Sequence, residues 1–341
     1  MSRTTDITRR GLGLGALGAT MAAGAAQAQP APNFLRGPLT IVIPYGPGGL
    51  TDVRGRHYQN HLPKTTGQPV IVQNVAGGGA LVGANFVYSR PSNGQTVMIA
   101  STSDGPHAHY VLSPARPNWS WNDWWPLCMF GYSGLGFVSA RRSNFGGLQA
   151  VIDRVKANPG SVTLASIGPG RLDDLYMLEF MRATDTLGKW NWVFYNSSAT
   201  IQADLLSGDV HVGYLGVTRR DMIDHPTFDV LALGMAEDEL PTENFPFRWP
   251  TVERVTNHKY QLLGAGYSAT FIKANVPMER RNYLEWAFEQ ATRDPEFIRE
   301  RTEYGEPPLW VPGAEAKRRI DALVAVVQEM KPLRDQWVRA R

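Results

Sequence analysis

Short β-branched runs alternate with longer amphipathic ones through most of the chain, a pattern that admits little besides helices packed on largely parallel sheets. Residues 39–43, 69–74 and 96–100 read as strands, with glycine loops after the first two and helices over 51–61 and 81–89. A strand at 137–140 then carries the chain into a second unit of the same kind. Its helices are expected over 148–157, 172–182 and 199–207, and its strands at 162–165, 192–195, 210–215 and 230–233. The run 269–272 reads as the return crossing, and helices over 278–292 and 315–330 are expected to pack on the first unit. Two α/β lobes joined by two crossing strands make a hinged clamshell, with residues 34–136 and 270–341 in the first lobe and 137–269 in the second. The cleft between such lobes is a usual place for a small ligand.

The N-terminus stands apart from this pattern. Thr8-Arg9-Arg10, an uncharged stretch over 11–26 and Ala26-Gln27-Ala28 form the three parts of an export signal, with cleavage expected after Ala28. The arginine pair and weakly apolar, Gly/Ala-rich core suit the twin-arginine route, with Sec export as the alternative, and either places the mature chain in the periplasm. A membrane anchor would need roughly 20 strongly apolar residues. The chain carries 34 Lys+Arg and 31 Asp+Glu; loss of Arg3, Arg9, Arg10 and Asp6 with the leader leaves 31 against 30. That balance argues for no nucleic acid and no anionic membrane surface. Cys128, the single cysteine, lies in the apolar run Pro126-Leu127-Cys128-Met129-Phe130 and reads as a buried, inert thiol.

In an open α/β sheet, ligands bind beyond the carboxyl ends of the strands, where loops feed helix N-termini. Four small-residue loops fall at such positions: Gly46-Pro47-Gly48-Gly49, Gly77-Gly78-Gly79, Gly168-Pro169-Gly170 and Asn196-Ser197-Ser198. Each offers backbone N–H donors beside the positive end of a helix dipole. Two come from each lobe, so closure would converge them on one acidic ligand. The plain alternative for any single loop is a tight turn. The first loop lacks the Lys-Ser/Thr ending of a P-loop and the third glycine of a dinucleotide fingerprint, so neither nucleotide class is expected. No cofactor or metal is expected.

The stretch Ile43 to Arg56 resembles the P-x-x-P-G-G-x-x-D-x-x-A-R signature of the tripartite tricarboxylate transporter receptors, also called Bug-type receptors. Gly67-Gln68-Pro69-Val70-Ile71-Val72-Gln73-Asn74, with Ala76-Gly77-Gly78-Gly79 and Gly83, is similar to a second block of that family, and Ser166-Ile167-Gly168-Pro169-Gly170 to its S-A-G-N-G loop. A fourth block matches at Tyr195, Ser198, Ala199, Asp204, Leu205, Leu206, Gly208 and Val210. The resemblance implies a type II-like two-lobe periplasmic-binding-protein clamshell, each lobe a mainly parallel sheet flanked by helices. It implies a receptor that captures a small organic acid, an aliphatic or aromatic mono- or dicarboxylate, for membrane permease subunits. By the same likeness the ligand is held by Tyr45, Gly48, Gly49, Thr51 and Asp52, by Gly77 and Gly78, by Ser166, Gly168 and Gly170, and by Tyr195 and Ser198. A monomer is expected.

The chain departs from the family pattern at Asn196-Ser197, where Lys-Gly is usual, at Asp174, where histidine is usual, and at Gln73, where glutamate is usual. Arg171 stands in place of a small polar residue and reads either as a bidentate carboxylate clamp or as a solvated first-turn arginine. Asp52 would repel an acid unless it meets a donor, and its structural alternative is a first-turn carboxylate satisfying backbone N–H groups. Ser101 and His107 complete the candidates, His107 as a cleft donor. His107 and His109 have no partner set for a metal. Trp119, Trp121, Trp124 and Trp125 read as packing residues, whereas Trp192 is placed to approach the cleft. The competing classes are an exported hydrolase, for which Ser166, His107 and Asp52 are a triad by composition only, and a ligand-sensing receptor for a membrane sensor kinase.

Overall fold

The structure, a computed structural model, describes residues 35–113, 116–132, 134–167, 171–217, 226–234, 249–260, 266–306 and 308–339. The expected leader, and Gly168 and Gly170 among the candidate ligand residues, lie outside them. In chain order the elements are β1 (Leu39–Ile43), α1 (Leu50–Thr66), β2 (Val70–Asn74), α2 (Leu81–Tyr88), β3 (Thr96–Ser101), α3 (Pro106–Leu112), β4 (Trp124–Tyr132) and β5 (Leu135–Ala140). There follow α4 (Leu148–Ala157), β6 (Thr163–Ile167), α5 (Leu172–Ala183), β7 (Asn191–Tyr195), α6 (Ser198–Ser207), β8 (Val212–Gly216), β9 (Phe228–Leu233) and α7 (Val252–Thr256). The last are β10 (Tyr267–Lys273), α8 (Met278–Arg293), α9 (Pro295–Glu303), β11 (Trp310–Pro312) and α10 (Gly313–Arg339).

One sheet has the order β11-β4-β10-β3-β1-β2 and the other β7-β6-β8-β5-β9. The chain leaves the first sheet after Tyr132, enters the second at Leu135, and is back in the first at Tyr267. β1 pairs parallel with β2 and β3, and β6 with β7 and β8. The strands arriving from the other lobe, β5 and β10, pair antiparallel with their neighbours. Both sheets are therefore mixed, where mainly parallel sheets were expected. The crossing strands enter each sheet from the side of the other lobe and so run against the neighbours they pair with.

Strand alternation sorts the core. Leu39, Ile41 and Ile43 of β1 pack with Val97 and Ile99 on one face, while Val42 packs with Met98 and Ala100 on the other. Both faces are covered, which is why residues 41–43 of β1 and 97–100 of β3 read as unbroken apolar runs. β4 was not expected from the sequence, because Pro126 interrupts it. The sheet accommodates that proline at a register shift, with Thr270 opposite Cys128 and Phe271 opposite Pro126, so the ladder does not need the missing N–H. Cys128 is fully buried there, and burial pushes its thiol pKa far up. Trp119, Trp121 and Trp124 are buried on the opposite face, with Trp119 Nε1 donating to Asn85 Oδ1 (2.8 Å) and Trp121 Nε1 to Asp321 Oδ1 (2.6 Å).

The C-terminal helix corrects a second expectation. Ala316 and Ile320 of α10 pack on the first sheet, but Leu323 and Val327 join the core that contains Leu172, Tyr176 and Phe137 of the second lobe. α10 thus straddles the two lobes, since its apolar stripe runs on past the edge of the first sheet.

Gly83 sets how closely α2 approaches the loop after β1. A Cβ at Gly83 would lie 2.6 Å from Pro44 Cβ and 2.9 Å from the Val75 carbonyl oxygen. Gly83→Ala should therefore cost about 1–3 kcal/mol, seen as a lower urea midpoint at unchanged m. An unchanged midpoint would mean that α2 can move away from Pro44 without penalty.

Candidate functional site

The ends of β1, β3, β6 and β8 and the starts of α1, α5 and α6 face one another across the two lobes and enclose a cavity of about 570 Å³, counting its open mouth. Its polar lining comes from Tyr45, Thr51, Asp52 and Ser101 of the first lobe and Arg171, Asp173 and Ser198 of the second. Leu50, Leu135, Ile167, Tyr214 and Leu215 form the apolar wall, with Gly49 and Gly216 between. Of the candidates, Tyr45, Gly49, Thr51, Asp52, Ser101, Arg171 and Ser198 are brought together here.

α1 begins at Gly49, which has no side chain to cap it, so the N–H groups of Leu50 and Thr51 at the first turn lack an intrahelical acceptor. At α6, Ser197 Oγ accepts from Ala199 N–H (3.1 Å) and leaves the first helical N–H at Ser198 uncapped by it. Two helix N-termini, one per lobe, thus present donors and positive dipole ends to the cavity.

Asp52 is committed to holding the first loop. Its Oδ2 accepts from Gly48 N–H (2.9 Å) and Arg56 Nε (3.0 Å), and its Oδ1 from Asn74 Nδ2 (2.9 Å) and Arg56 Nη2 (3.1 Å). Asn74 Nδ2 also donates to the Tyr45 carbonyl (3.0 Å). Burial would raise the Asp52 pKa, but Arg56, the Gly48 amide and the Asn74 amide outweigh it and hold the carboxyl below its ordinary range. The first-turn structural role is the geometry observed.

Arg171 is neither solvated nor a free clamp. It is 5% exposed, its Nη1 donates to Asp104, its Nε and Nη2 to Asp173 Oδ2 (2.9 and 2.5 Å), and its Nη2 to Ser103 Oγ (3.1 Å). Asp104 also accepts from the Tyr45 hydroxyl, and Ser101 N–H donates to that hydroxyl oxygen (3.2 Å). Burial pushes the Asp104 carboxyl up to about 6, against the pull of Arg171 and Tyr45. For Arg171 burial works downward, and Asp104 and Asp173 more than offset it, so its pKa is raised. The pair is charged at neutral pH and spans the lobes. Two backbone bonds run beside it, Leu172 N–H to Ser103 O (2.7 Å) and Gly46 N–H to Asn196 O (3.2 Å).

Other candidates lie elsewhere. Gly48, at φ 82°, faces Ala199, to which a Cβ would come within 3.7 Å, so it serves the approach of the lobes. Gly77 and Gly78 have φ of 136° and 56° and form a turn whose Gly79 carbonyl accepts from His109 Nε2 (2.7 Å); neither lines the cavity. His107 is fully buried, its Nε2 at the Thr102 carbonyl (2.7 Å) and its ring against Trp121 and Phe271, and burial lowers its pKa to about 4. It is a neutral core histidine, not a cleft donor. Ser166 is buried and its Oγ accepts from Trp192 Nε1 (2.9 Å), which turns both residues away from the cavity lining. The Tyr195 hydroxyl donates to Asp204 (2.5 Å). Ser166, His107 and Asp52 are thus each bound to a different partner, and the compositional triad is not assembled.

The sequence reading missed Ser103, Asp104 and Asp173 and the β8 end at Leu215-Gly216. Ser101-Thr102-Ser103-Asp104-Gly105-Pro106 carried a usable signal, being turn residues at a strand end with proline at the first helical position.

Two α/β lobes enclosing a shared cavity at their strand ends define the periplasmic-binding-protein fold. Among solved structures, an adipate-bound protein of R. palustris has TM-score 0.76 at 19% identity, covering 87% of this chain and 97% of that one. The malate-bound MatC of Rhodopseudomonas palustris has TM-score 0.68 at 17% identity, over 88% and 97%. The periplasmic binding protein BugD has TM-score 0.70 at 20% identity, over 89% and 96%. Residues 55–320 match the family model of the tripartite tricarboxylate transporter family receptor, and the chain belongs to that family. Protein BugT of Bordetella pertussis is 31% identical over 188 residues, which are 55% of this chain and 57% of BugT's length. An Agrobacterium vitis protein of the UPF0065 group is 25% identical over 333 residues, 92% of this chain and 89% of that one.

Proposed function

We propose that the protein is an exported, periplasmic receptor that captures a small organic carboxylate in the inter-lobe cavity and delivers it to membrane permease subunits. The observation that carries this is the pair of helix N-termini, at Leu50-Thr51 and at Ser198, that meet across the cavity from opposite lobes. One carboxylate placed between them accepts from both lobes at once, so its binding favours the closed arrangement. Thr51 and Ser198 add hydroxyl donors, Leu50, Leu135, Ile167 and Leu215 cover an apolar body, and bridging waters complete the contacts. Family membership supports a receptor that hands its ligand to a transporter.

A screen of aliphatic and aromatic carboxylates, with the matched amides as controls, tests this by thermal shift. At about 100 Kd a ligand stabilises by about 2.7 kcal/mol, which raises Tm by roughly 5–10 °C. Hits are expected among the acids and not the amides. Stabilisation by neutral or cationic compounds alone would sink the proposal.

A further inference from the structure

We infer that Asp173 makes the cavity select a monocarboxylate with a hydrogen-bond donor at its far end, a hydroxy or amino acid in the broad chemical sense, over the dicarboxylate of equal length. The inference deepens the carboxylate reading above and rests on it.

Among the described residues the lining carries one guanidinium, Arg171, held between two carboxylates, Asp104 behind it and Asp173 beside it. Four N–H vectors of Arg171 are taken by Asp104, Asp173 and Ser103, so it offers no two-pronged face to a second ligand carboxylate. Asp52 is neutralised in place by Arg56. Among the described lining residues and their ion-pair partners, the charge that remains is one net negative, at Asp173. Asp173 Oδ2 takes both bonds from Arg171, and among the described residues Oδ1 has no partner, while the side chain remains 13% exposed at the cavity. Asp173 thus keeps acceptor capacity for a donor on the ligand.

Two parts of the lining therefore ask for opposite chemistry. A carboxylate suits the start of α1 and α6, whereas a hydroxyl or ammonium suits Asp173. A second carboxylate ~6 Å from Asp173, at an effective dielectric of ~20, meets repulsion equivalent to roughly a hundredfold in affinity. Selectivity then arises from a repulsive element as much as from an attractive one.

The test is calorimetric titration of ω-hydroxy acids against dicarboxylates of the same carbon number, from 4-hydroxybutyrate and succinate upward, with 4-(hydroxymethyl)benzoate and terephthalate as the aromatic pair. The wild-type protein is expected to prefer the hydroxy acid by roughly a hundredfold, and Asp173→Asn to cut that ratio at least tenfold, chiefly by tightening the dicarboxylate. Because each ratio is taken within one preparation, partial misfolding of the variant cancels. A dicarboxylate bound as tightly as its hydroxy partner, or a ratio unchanged in Asp173→Asn, overturns the selection and leaves the carboxylate receptor intact. If no acid of any kind binds, the receptor reading itself fails and takes this inference with it.

Discussion

Glu306→Ala should lower the stability of the protein by roughly 3–5 kcal/mol and its Tm by about 10 °C, the cost of stranding buried cations. Glu306 is 2% exposed and sits between Arg54 and Arg301, which are 1% and 3% exposed. Arg54 Nε lies 3.0 Å from Glu306 Oε2, Arg301 Nη2 donates to the same oxygen, and Arg54 Nη1 donates to Ser268 Oγ (2.6 Å). Arg301 Nη1 stands 3.2 Å from His57 Nδ1, which accepts because burial, seconded by Arg301, lowers the His57 pKa to about 4. The cluster ties α1 to α9 and β10, and so anchors from behind the helix whose N-terminus faces the cavity.

The same group sets a pH signature. Burial would raise the Glu306 pKa, but Arg54 and Arg301 outweigh it and depress the folded value. A depressed carboxyl contributes stability above its unfolded pKa of about 4.3, which is lost as pH falls through the lower folded value. Wild-type stability should therefore decline more steeply than that of Glu306→Ala below about pH 4. Parallel acid limbs, or an unchanged Tm at neutral pH, would show that the cluster contributes nothing net.

Asp104→Asn should loosen the clamshell itself. The carboxylate is fully buried and pairs across the lobes with Arg171 while accepting from Tyr45. Its neutral replacement leaves the guanidinium with Asp173 and Ser103 only, and removing one partner of a buried pair costs about 3–5 kcal/mol. An open form re-exposes Arg171 to water and escapes that cost, so the equilibrium moves toward opening. Affinity for a ligand that needs the closed form falls by the fraction that remains closed, roughly a hundredfold for a shift of about 3 kcal/mol. Small-angle scattering should show a larger radius of gyration for the variant, and titration a weaker carboxylate. An unchanged radius together with unchanged affinity would mean that the bonds from Leu172 to Ser103 and from Gly46 to Asn196 hold the lobes without the ion pair.

What could be read in advance was local. β1 emerges at 39–43 as expected, and most other expected strands and helices lie within a few residues of the structure's, because an apolar run closed by glycine or proline punctuates itself. Where period and punctuation conflict, as at Pro126, the strand was invisible, since only the facing register of β10 reveals that the proline sits at a bulge. The glycine loops were found at the strand ends, yet their tasks differ: Gly49 opens α1 toward the cavity, while Gly48 meets the other lobe and Gly77 and Gly78 shape a turn away from it.

The amino-acid order alone determined that α1 and α6 begin at small-residue turns beyond strand ends, because capping and helix direction depend on a handful of consecutive residues. It also determined Asp52 as a first-turn acid, four residues from the arginine that neutralises it. Only the tertiary structure decided that Arg171 meets Asp104, 67 residues away, and that Tyr45 meets the same carboxylate across 59. Those pairings depend on how two separately built sheets and the straddling helix α10 set the distance between lobes, and a buried charge takes whichever partner that packing brings within reach.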